Sequence, residues 1–120
     1  MKIILFDIDD TLLVCPYGAN KKGSEVMFKR VFDMDANEEM INTKGKTDKQ
    51  IISEVIRKVK GYPDEKEIEI PQVAFQEWAT AIGELLKINQ SLVLPGIWEL
   101  LDSLQKNENV LLALLTGNSP

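Results

Sequence analysis

Two short, continuous apolar runs near the ends of the chain predict β-strands. They occupy residues 3–6 and 110–115, and polar, turn-forming residues follow each of them. Their shortness and these flanks favour strands over buried helices. Runs that are apolar at every position are typical of strands buried on both faces of a parallel sheet. We therefore expect the two strands to lie in one parallel sheet.

Between these runs, apolar residues recur at helical spacing and predict four helices. Ser24 is placed to cap the first helix, and Thr47 and Gln50 have the spacing of a capping box at the second. Pro71 fits the first turn of a long third helix, and the break at 94–96 precedes a fourth. The apolar stripes are Val26, Met27, Val31 and Phe32; Ile51, Ile52, Val55, Ile56 and Val59; Phe75, Trp78, Ala79, Ile82, Leu85 and Leu86; and Ile97, Leu100, Leu101 and Leu104.

This order of elements predicts an α/β fold in which a helical insertion interrupts a core. The last helix and strand form half of a β-α-β unit whose first strand is residues 3–6. We expect the core to comprise residues 1–14 and 93–120, and the helical cap residues 15–92. Two parallel strands alone do not make a stable sheet, so we expect part of the core to be missing from this chain.

Composition narrows the chemistry to carboxylates. The 120 residues include no histidine, which excludes Ser-His-Asp and Cys-His catalysis and histidine metal sites. The single cysteine, Cys15, cannot form an internal disulfide or a multi-cysteine zinc site, so a reducing compartment is expected. Any acid–base or metal chemistry must therefore rest on aspartate and glutamate.

The charge and hydropathy of the chain argue against nucleic acids and membranes as partners. The formal net charge is −5, which argues against non-specific binding to nucleic acid or to an anionic membrane. The N-terminal apolar run is too short for a signal peptide, and no run reaches membrane-spanning length. We expect a cytoplasmic protein without a nucleic-acid or membrane partner; its oligomeric state is left open.

Paired carboxylates follow the first predicted strand directly. Asp7 and Asp9 are two residues apart, a spacing that lets both side chains converge on one ligand. Such a pair at the carboxyl end of a parallel strand needs a hard cation such as Mg²⁺ before it can approach a phosphate. One carboxylate could then attack phosphorus as a nucleophile, while the other protonates the leaving oxygen and later activates water.

The second predicted strand ends in residues suited to phosphate oxygens. Thr116 offers a hydroxyl, and Gly117 and Asn118 offer backbone amides in a flexible segment. If the strands are parallel neighbours, this segment and the carboxylate pair lie at the same end of the sheet. The pattern indicates phosphoryl chemistry.

These motifs resemble those of a known family. Residues 6–12, Phe-Asp-Ile-Asp-Asp-Thr-Leu, resemble the first signature motif of the haloacid dehalogenase (HAD) superfamily of phosphohydrolases. Residues 114–118, Leu-Leu-Thr-Gly-Asn, resemble its second motif, and Leu-Pro-Gly at 94–96 resembles the segment by which such chains re-enter the core. Residues 45–48, followed by Gln50 and Ile51, resemble the cap segment of phosphoglycolate-phosphatase-like members.

The resemblance implies a Rossmann-like HAD core, here only its N-terminal part, with an inserted helical cap. It implies that Asp7 is the nucleophile that forms an aspartyl-phosphate and that Asp9 is the general acid and base. Both would hold Mg²⁺, Asp9 also through its backbone carbonyl. Thr116 would bind the transferring phosphoryl group together with the segment Gly117–Asn118. The implied reaction is hydrolysis of a small phosphorylated metabolite, and a phosphomutase remains an alternative.

Lys46 and Thr47 have two interpretations. They stand at the predicted start of a helix, which is the structural interpretation, and they also match the cap segment that contacts substrate in the resembling family. We keep them as candidate substrate-binding residues.

The third motif of the family supplies a lysine and the fourth supplies acidic Mg²⁺ ligands, both downstream of the second. The sequence ends at Pro120, so we expect a truncated phosphatase whose isolated piece is weakly active or inactive. A non-catalytic chain that acts through protein–protein contacts is the alternative from a different class.

Overall fold

The computed structural model describes residues 1–15, 18–88 and 90–118, so residues 119 and 120 of the predicted core and residues 16, 17 and 89 of the predicted cap lie outside the described residues. The chain has a mixed α/β architecture. Its elements are β1 (Lys2–Phe6), β2 (Leu13–Val14), α1 (Ala19–Phe32), a 3₁₀ helix (Glu38–Met40), α2 (Asp48–Lys60), α3 (Gln72–Ile88), β3 (Leu92–Val93), α4 (Ile97–Gln105) and β4 (Val110–Leu114).

The chain divides into two compact units. The first unit is Met1–Tyr17 with Gln90–Thr116, and the second is Gly18–Asn89 with Gly117–Pro120. The expected core and cap boundaries at residues 14 and 93 stay a prediction. No helix in the described part of the chain has the length and apolar character that a membrane crossing requires.

The first unit contains the parallel pair of strands. β1 and β4 pair from Lys2 with Val110 to Phe6 with Leu114, which confirms both strands and their parallel direction. The chain turns just before β4, where the amide of Val110 donates to the carbonyl of Asn107 at 3.0 Å. α4 lies in the same unit and packs against β4.

One face of this sheet is bare, and the expectation of strands buried on both faces is wrong. Alternation along the strands and their register place Ile3, Leu5 and Leu111 on the same face. These side chains are 63%, 55% and 51% exposed, whereas their neighbours Ile4 and Leu112 are partly covered. No described residue of this unit is fully buried, because one short helix can shield only part of a two-stranded sheet.

This unit also contains an antiparallel pair of strands that the sequence analysis did not predict. Leu13 pairs with Val93 and Val14 with Leu92, and the amide of Leu94 extends the pairing by donating to the carbonyl of Leu12 at 3.0 Å. Each strand has only two residues, too few for an alternating pattern to be recognised. The pair ties together the segments that flank the helical insertion.

The second unit contains the hydrophobic core of the described chain. α1, α2 and α3 contribute most of it, and α1 packs along α3. Its buried members are Met27, Phe28, Met34, Ala36, Ile51, Ile52, Val55, Ile56, Ala74 and Trp78. The stripes read from the sequence supply six of these ten residues, because Phe28, Met34, Ala36 and Ala74 belong to none of them. Val59 and Ala79, which the stripes include, are exposed.

α2 begins as its sequence predicts. The hydroxyl of Thr47 accepts a hydrogen bond from the amide of Gln50 at 3.3 Å, and the Gln50 side-chain oxygen accepts one from the Thr47 amide at 2.8 Å. This reciprocal pair is a complete capping box. The helix ends at Gly61, whose φ of 65° requires the left-handed conformation that glycine adopts without strain.

The predicted cap at Ser24 is wrong. α1 begins at Ala19, after Gly18, and Ser24 lies fully buried inside the helix. Its hydroxyl donates to the carbonyl of Lys21 at 2.8 Å and accepts from the amide of Glu38 at 3.0 Å. Ser24 thus satisfies the start of the 3₁₀ helix instead of its own helix, a long-range contact that local sequence does not reveal.

The starts of α3 and α4 agree with the sequence within one residue. Pro71 stands immediately before α3, and its carbonyl accepts from the amide of Ala74 at 2.9 Å. α4 begins at Ile97, directly after Gly96 with its φ of 81°. The proline and the glycine therefore mark helix boundaries, as expected.

Gly23 sets how closely α1 approaches α3. A Cβ atom at this position would lie 2.7 Å from Cγ1 of Ile82 and 3.3 Å from Cδ1 of Trp78. We expect Gly23→Ala to lower the free energy of unfolding by about 1–3 kcal/mol through overpacking. The matched control is Gly83→Ala in α3, where a Cβ would meet no atom within 4 Å and should stabilise by about 0.5–1 kcal/mol. Urea unfolding of both variants tests this; shifts of the same sign would contradict it.

Candidate functional site

The parallel ladder places two of the candidate residues at one end of the sheet. Beyond the regular strands, the amide of Leu115 donates to the carbonyl of Phe6 at 2.8 Å. Asp7 follows Phe6 and Thr116 follows Leu115, so the two residues leave neighbouring strands at their carboxyl ends. This is the edge at which open α/β sheets bind ligands.

A tight turn holds the carboxylate pair. Asp7 and Asp9 flank Ile8, whose carbonyl accepts hydrogen bonds from three successive backbone amides. The donors are Thr11 at 3.3 Å, Leu12 at 2.9 Å and Leu13 at 3.3 Å. Asp9 also forms an isolated bridge with Leu13. The carboxylates therefore project from a backbone that is fixed by its own hydrogen bonds, as a preorganised site requires.

Asp10 completes this turn in the left-handed conformation. Its φ is 60°, and its amide donates to the carbonyl of Leu13 at 2.9 Å. Aspartate and asparagine tolerate this conformation better than other residues with a side chain. The turn thus explains an aspartate at this position without any catalytic role.

The carboxylates of Asp7, Asp9 and Asp10 belong to exposed residues and are accessible to a ligand from solvent. Within residues 1–15, 18–88 and 90–118, no three or more His, Cys, Asp or Glu side chains are grouped in a way that could hold a metal ion. A cation bound to Asp7 and Asp9 would take its other ligands from backbone oxygen, water and phosphate, an arrangement that is usual for Mg²⁺.

The three candidate phosphate-binding residues differ in their surroundings. Thr116 and Asn118 are exposed, and Gly117 is half-buried in the second unit. The carbonyl of Gly117 accepts a hydrogen bond from the amide of Asp48 at 3.1 Å. A Cβ on Gly117 would lie 2.6 Å from the carbonyl oxygen of Lys46, so only glycine fits without a shift of the backbone.

This contact joins two sets of candidate residues. Gly117 comes from the motif that resembles a phosphate-binding segment, and Lys46 and Thr47 come from the motif that resembles a substrate-contacting segment. The two segments lie far apart in the sequence, yet the backbone of Gly117 packs directly on that of Lys46 and Thr47. No sequence signal shows this contact, because it depends on the tertiary fold.

Lys46 and Thr47 also have structural partners. The Lys46 ammonium lies 2.6 Å from a carboxylate oxygen of Glu54, and its side chain is 27% exposed. Thr47 is the N-cap of α2. These contacts account for both residues as parts of a helix start, and their contact with substrate stays a prediction.

Two residues of this region make contacts that the sequence did not predict. Asp48 contributes its amide to Gly117, and Glu54 pairs with Lys46. The predicted capping box makes Asp48 the first helical residue, whose amide has no acceptor within its own helix, but it does not indicate that Gly117 supplies the acceptor. Glu54 lies eight residues after Lys46 and has no motif that marks it.

The chain matches no protein-family model and no curated protein. Its function is therefore inferred from the chemistry of the site and from the motifs it resembles.

Proposed function

We propose that this chain carries the nucleophile and the phosphate-binding segment of a Mg²⁺-dependent phosphatase of the HAD type. The proposed fold is a Rossmann-like core with an inserted helical cap, and the proposed substrate is a small phosphate monoester in the cytoplasm. The observation that carries the proposal is the parallel ladder, which brings Asp7 and Thr116 to the same end of neighbouring strands.

The donor set suits Mg²⁺. Asp7 and Asp9 supply oxygen ligands from exposed residues, and the described residues near them offer no nitrogen or sulfur ligand set that would favour a softer metal. When bound, Mg²⁺ would neutralise the charge of the carboxylates and of the phosphate oxygens.

The proposed reaction has two steps. First, a carboxylate oxygen of Asp7 attacks phosphorus, the bond from phosphorus to the leaving oxygen breaks, and Asp9 gives that oxygen its proton. Then Asp9 takes a proton from water, which attacks the aspartyl-phosphate at phosphorus and releases inorganic phosphate with Asp7 restored. Thr116 donates its hydroxyl, and Gly117 and Asn118 their amides, to the non-bridging oxygens.

Covalent labelling tests the first step without requiring a full catalytic cycle. We expect slow phosphorylation of the chain by acetyl phosphate when Mg²⁺ is present and none after chelation by EDTA. Borohydride reduction of the acyl phosphate, followed by peptide mass spectrometry, should locate the label at Asp7. Labelling at another residue, or labelling that is independent of Mg²⁺, would contradict the proposed function.

One observation favours a second candidate function. The bare apolar face at Ile3, Leu5 and Leu111 is the kind of surface that protein–protein contacts cover. The chain would then act as a non-catalytic partner in an assembly. Under this alternative, acetyl phosphate leaves no Mg²⁺-dependent label on the chain.

A further inference from the structure

The parallel ladder leaves one edge of β4, the edge away from β1, without a partner strand in the described part of the chain. β4 pairs with β1 in a two-stranded sheet, and no other strand in residues 1–15, 18–88 and 90–118 pairs with it. Leu111 and Leu114, near the two ends of β4, are 51% and 62% exposed. A two-stranded sheet is only marginally stable, so a further strand on this outer edge would strengthen it.

The hydrogen bonds of the ladder show which backbone groups of β4 face the outer edge. The amide of Leu115 donates to the carbonyl of Phe6 at 2.8 Å, so the backbone groups of Leu115 face β1. Alternate residues of a strand direct their amides and carbonyls to the same side. The residues of β4 whose backbone groups face the outer edge are therefore Val110, Leu112 and Leu114.

This outer edge is complementary to a second copy of itself. An antiparallel pair with a two-fold axis at Leu112 places Leu112 opposite its own copy and Leu114 opposite Val110 of the second copy. The amide of Val110 takes no part, because it donates to the carbonyl of Asn107 within its own chain. Each chain thus donates from Leu112 and Leu114 and accepts at Leu112 and Val110.

β4 also lacks the features that protect sheet edges from pairing. Charged side chains, prolines and bulges commonly block an exposed edge strand. Residues 110–115, Val-Leu-Leu-Ala-Leu-Leu, contain no charge and no proline, and the pairing of β4 with β1 runs without a bulge. A copy of this segment can therefore approach it without bringing like charges together. β1, in contrast, begins with Lys2, a residue type that discourages pairing at an edge.

We propose that the outer edge of β4 is an interface at which two copies of this chain form one continuous sheet. The strand order across the pair is then β1, β4, β4 and β1, with the α4 helices of both copies on the same face. The inference is independent of the proposed phosphatase, because it requires none of the proposed catalytic residues. It goes beyond the second candidate function, because it identifies the partner as another copy of this chain.

Leu114→Pro tests the interface while it preserves the ladder to β1. Proline removes an amide that faces away from β1, a position at which strands tolerate it. The matched control is Leu114→Ala, which also removes the leucine side chain and keeps the amide. We expect analytical ultracentrifugation of the full chain to show a monomer–dimer equilibrium. Its dissociation constant should be at least about tenfold higher for Leu114→Pro than for Leu114→Ala, because the pair loses one hydrogen bond at each end.

A disulfide cross-link tests the register without depending on the proline variant. In the proposed pair, Leu111 lies opposite Ala113 of the second copy at a non-hydrogen-bonded position, where the Cα atoms are about 4.5 Å apart and within disulfide range. In a Cys15→Ser background, a mixture of Leu111→Cys and Ala113→Cys chains should therefore form a mixed covalent dimer when diamide is added. Each variant by itself is the control, because its two cysteines are then diagonal neighbours about 7–8 Å apart and should cross-link much more slowly.

The outcomes separate edge pairing from other associations. A chain that stays monomeric up to its solubility limit overturns the proposal, and so does a dimer that Leu114→Pro and Leu114→Ala weaken equally. Cysteine variants that cross-link no faster in the mixture than singly overturn it even if the proline variant does not fold. Leu111→Lys should leave the edge-paired dimer intact, because this side chain lies on the bare face. A dimer that is lost on this substitution would instead be held by its bare faces, which also overturns the proposal.

Discussion

Asp7→Asn is expected to abolish phosphorylation of the chain by acetyl phosphate, with a loss of at least about 10³-fold in the labelling rate. An amide oxygen is a far weaker nucleophile than a carboxylate oxygen, and asparagine also removes the negative charge that Asp7 contributes to the proposed Mg²⁺ site. The measurement is the initial rate of Mg²⁺-dependent label incorporation, followed by mass spectrometry of the intact chain. Because Asp7 belongs to the exposed residues, its replacement should leave the thermal midpoint unchanged.

Asp9→Asn separates the two proposed carboxylate roles. Acetate needs no proton to leave, so labelling by acetyl phosphate should continue when the acid is removed. Hydrolysis of an alkyl phosphate needs that proton and should fall by about 10²–10⁴-fold relative to any activity of the original chain.

Asp10→Asn is the matched control for both substitutions. It lies beside the pair, and asparagine tolerates the φ of 60° at that position. An Asp7→Asn chain that still accepts the label, or an Asp10→Asn chain that loses it, would overturn the assignment of Asp7 as the nucleophile.

Phe28→Ala is expected to cause the largest loss of stability, about 3–5 kcal/mol in the free energy of unfolding of the second unit. Phe28 has no exposed surface, and its ring lies 6.0 Å from that of Phe32 between centroids. A loss of this size is comparable to the total stability of many small domains, about 5–15 kcal/mol. The variant should therefore be largely unfolded or close to it at 37 °C.

Tryptophan fluorescence during urea unfolding measures this effect within the unit concerned. Trp78 is 5% exposed in the second unit, and Trp98 is 70% exposed in the first, so a Trp98→Phe background leaves Trp78 as the reporter. The control is Val73→Ala in α3, where the side chain is 45% exposed and the loss should stay below about 1 kcal/mol. Equal losses in the two variants would show that Phe28 does not contribute to the core as its burial indicates.

Local signals in the sequence were sufficient for most of the regular elements. The capping box at Thr47 and the apolar stripe of α2 belong to one short segment, and both are present in the structure. The cap predicted at Ser24 was wrong because a serine hydroxyl can either cap its own helix or form a hydrogen bond with a distant segment. Only the tertiary fold determines which of the two occurs, and here the hydroxyl accepts from the amide of Glu38. The strands β2 and β3 were missed because their two-residue ladder has no periodicity to detect.

The sequence predicts the positions of Asp7 and Thr116 in the sheet, but it does not predict the contacts of Gly117. Asp7 and Thr116 each end an apolar run, so the strand pairing that the sequence indicates is enough to place them at one edge. The contact of Gly117 with Lys46 and Asp48 was not predictable, because a glycine after a strand is compatible with many turns. The bare sheet face was also unexpected, since apolar runs show which residues favour burial and not what covers them.

The pairing of β1 with β4 has a consequence for the order of folding. Lys2 pairs with Val110, so most of the residues of this chain lie between the two strands. Pairing them therefore carries the entropic cost of closing a long loop. The contacts among α1, α2 and α3 span shorter stretches and can form earlier. During synthesis, which proceeds from the N-terminus, β1 emerges before α1, α2 and α3 and stays unpaired until β4 is made. We therefore expect the edge that carries Asp7 and Thr116 to form after the helical core of the second unit.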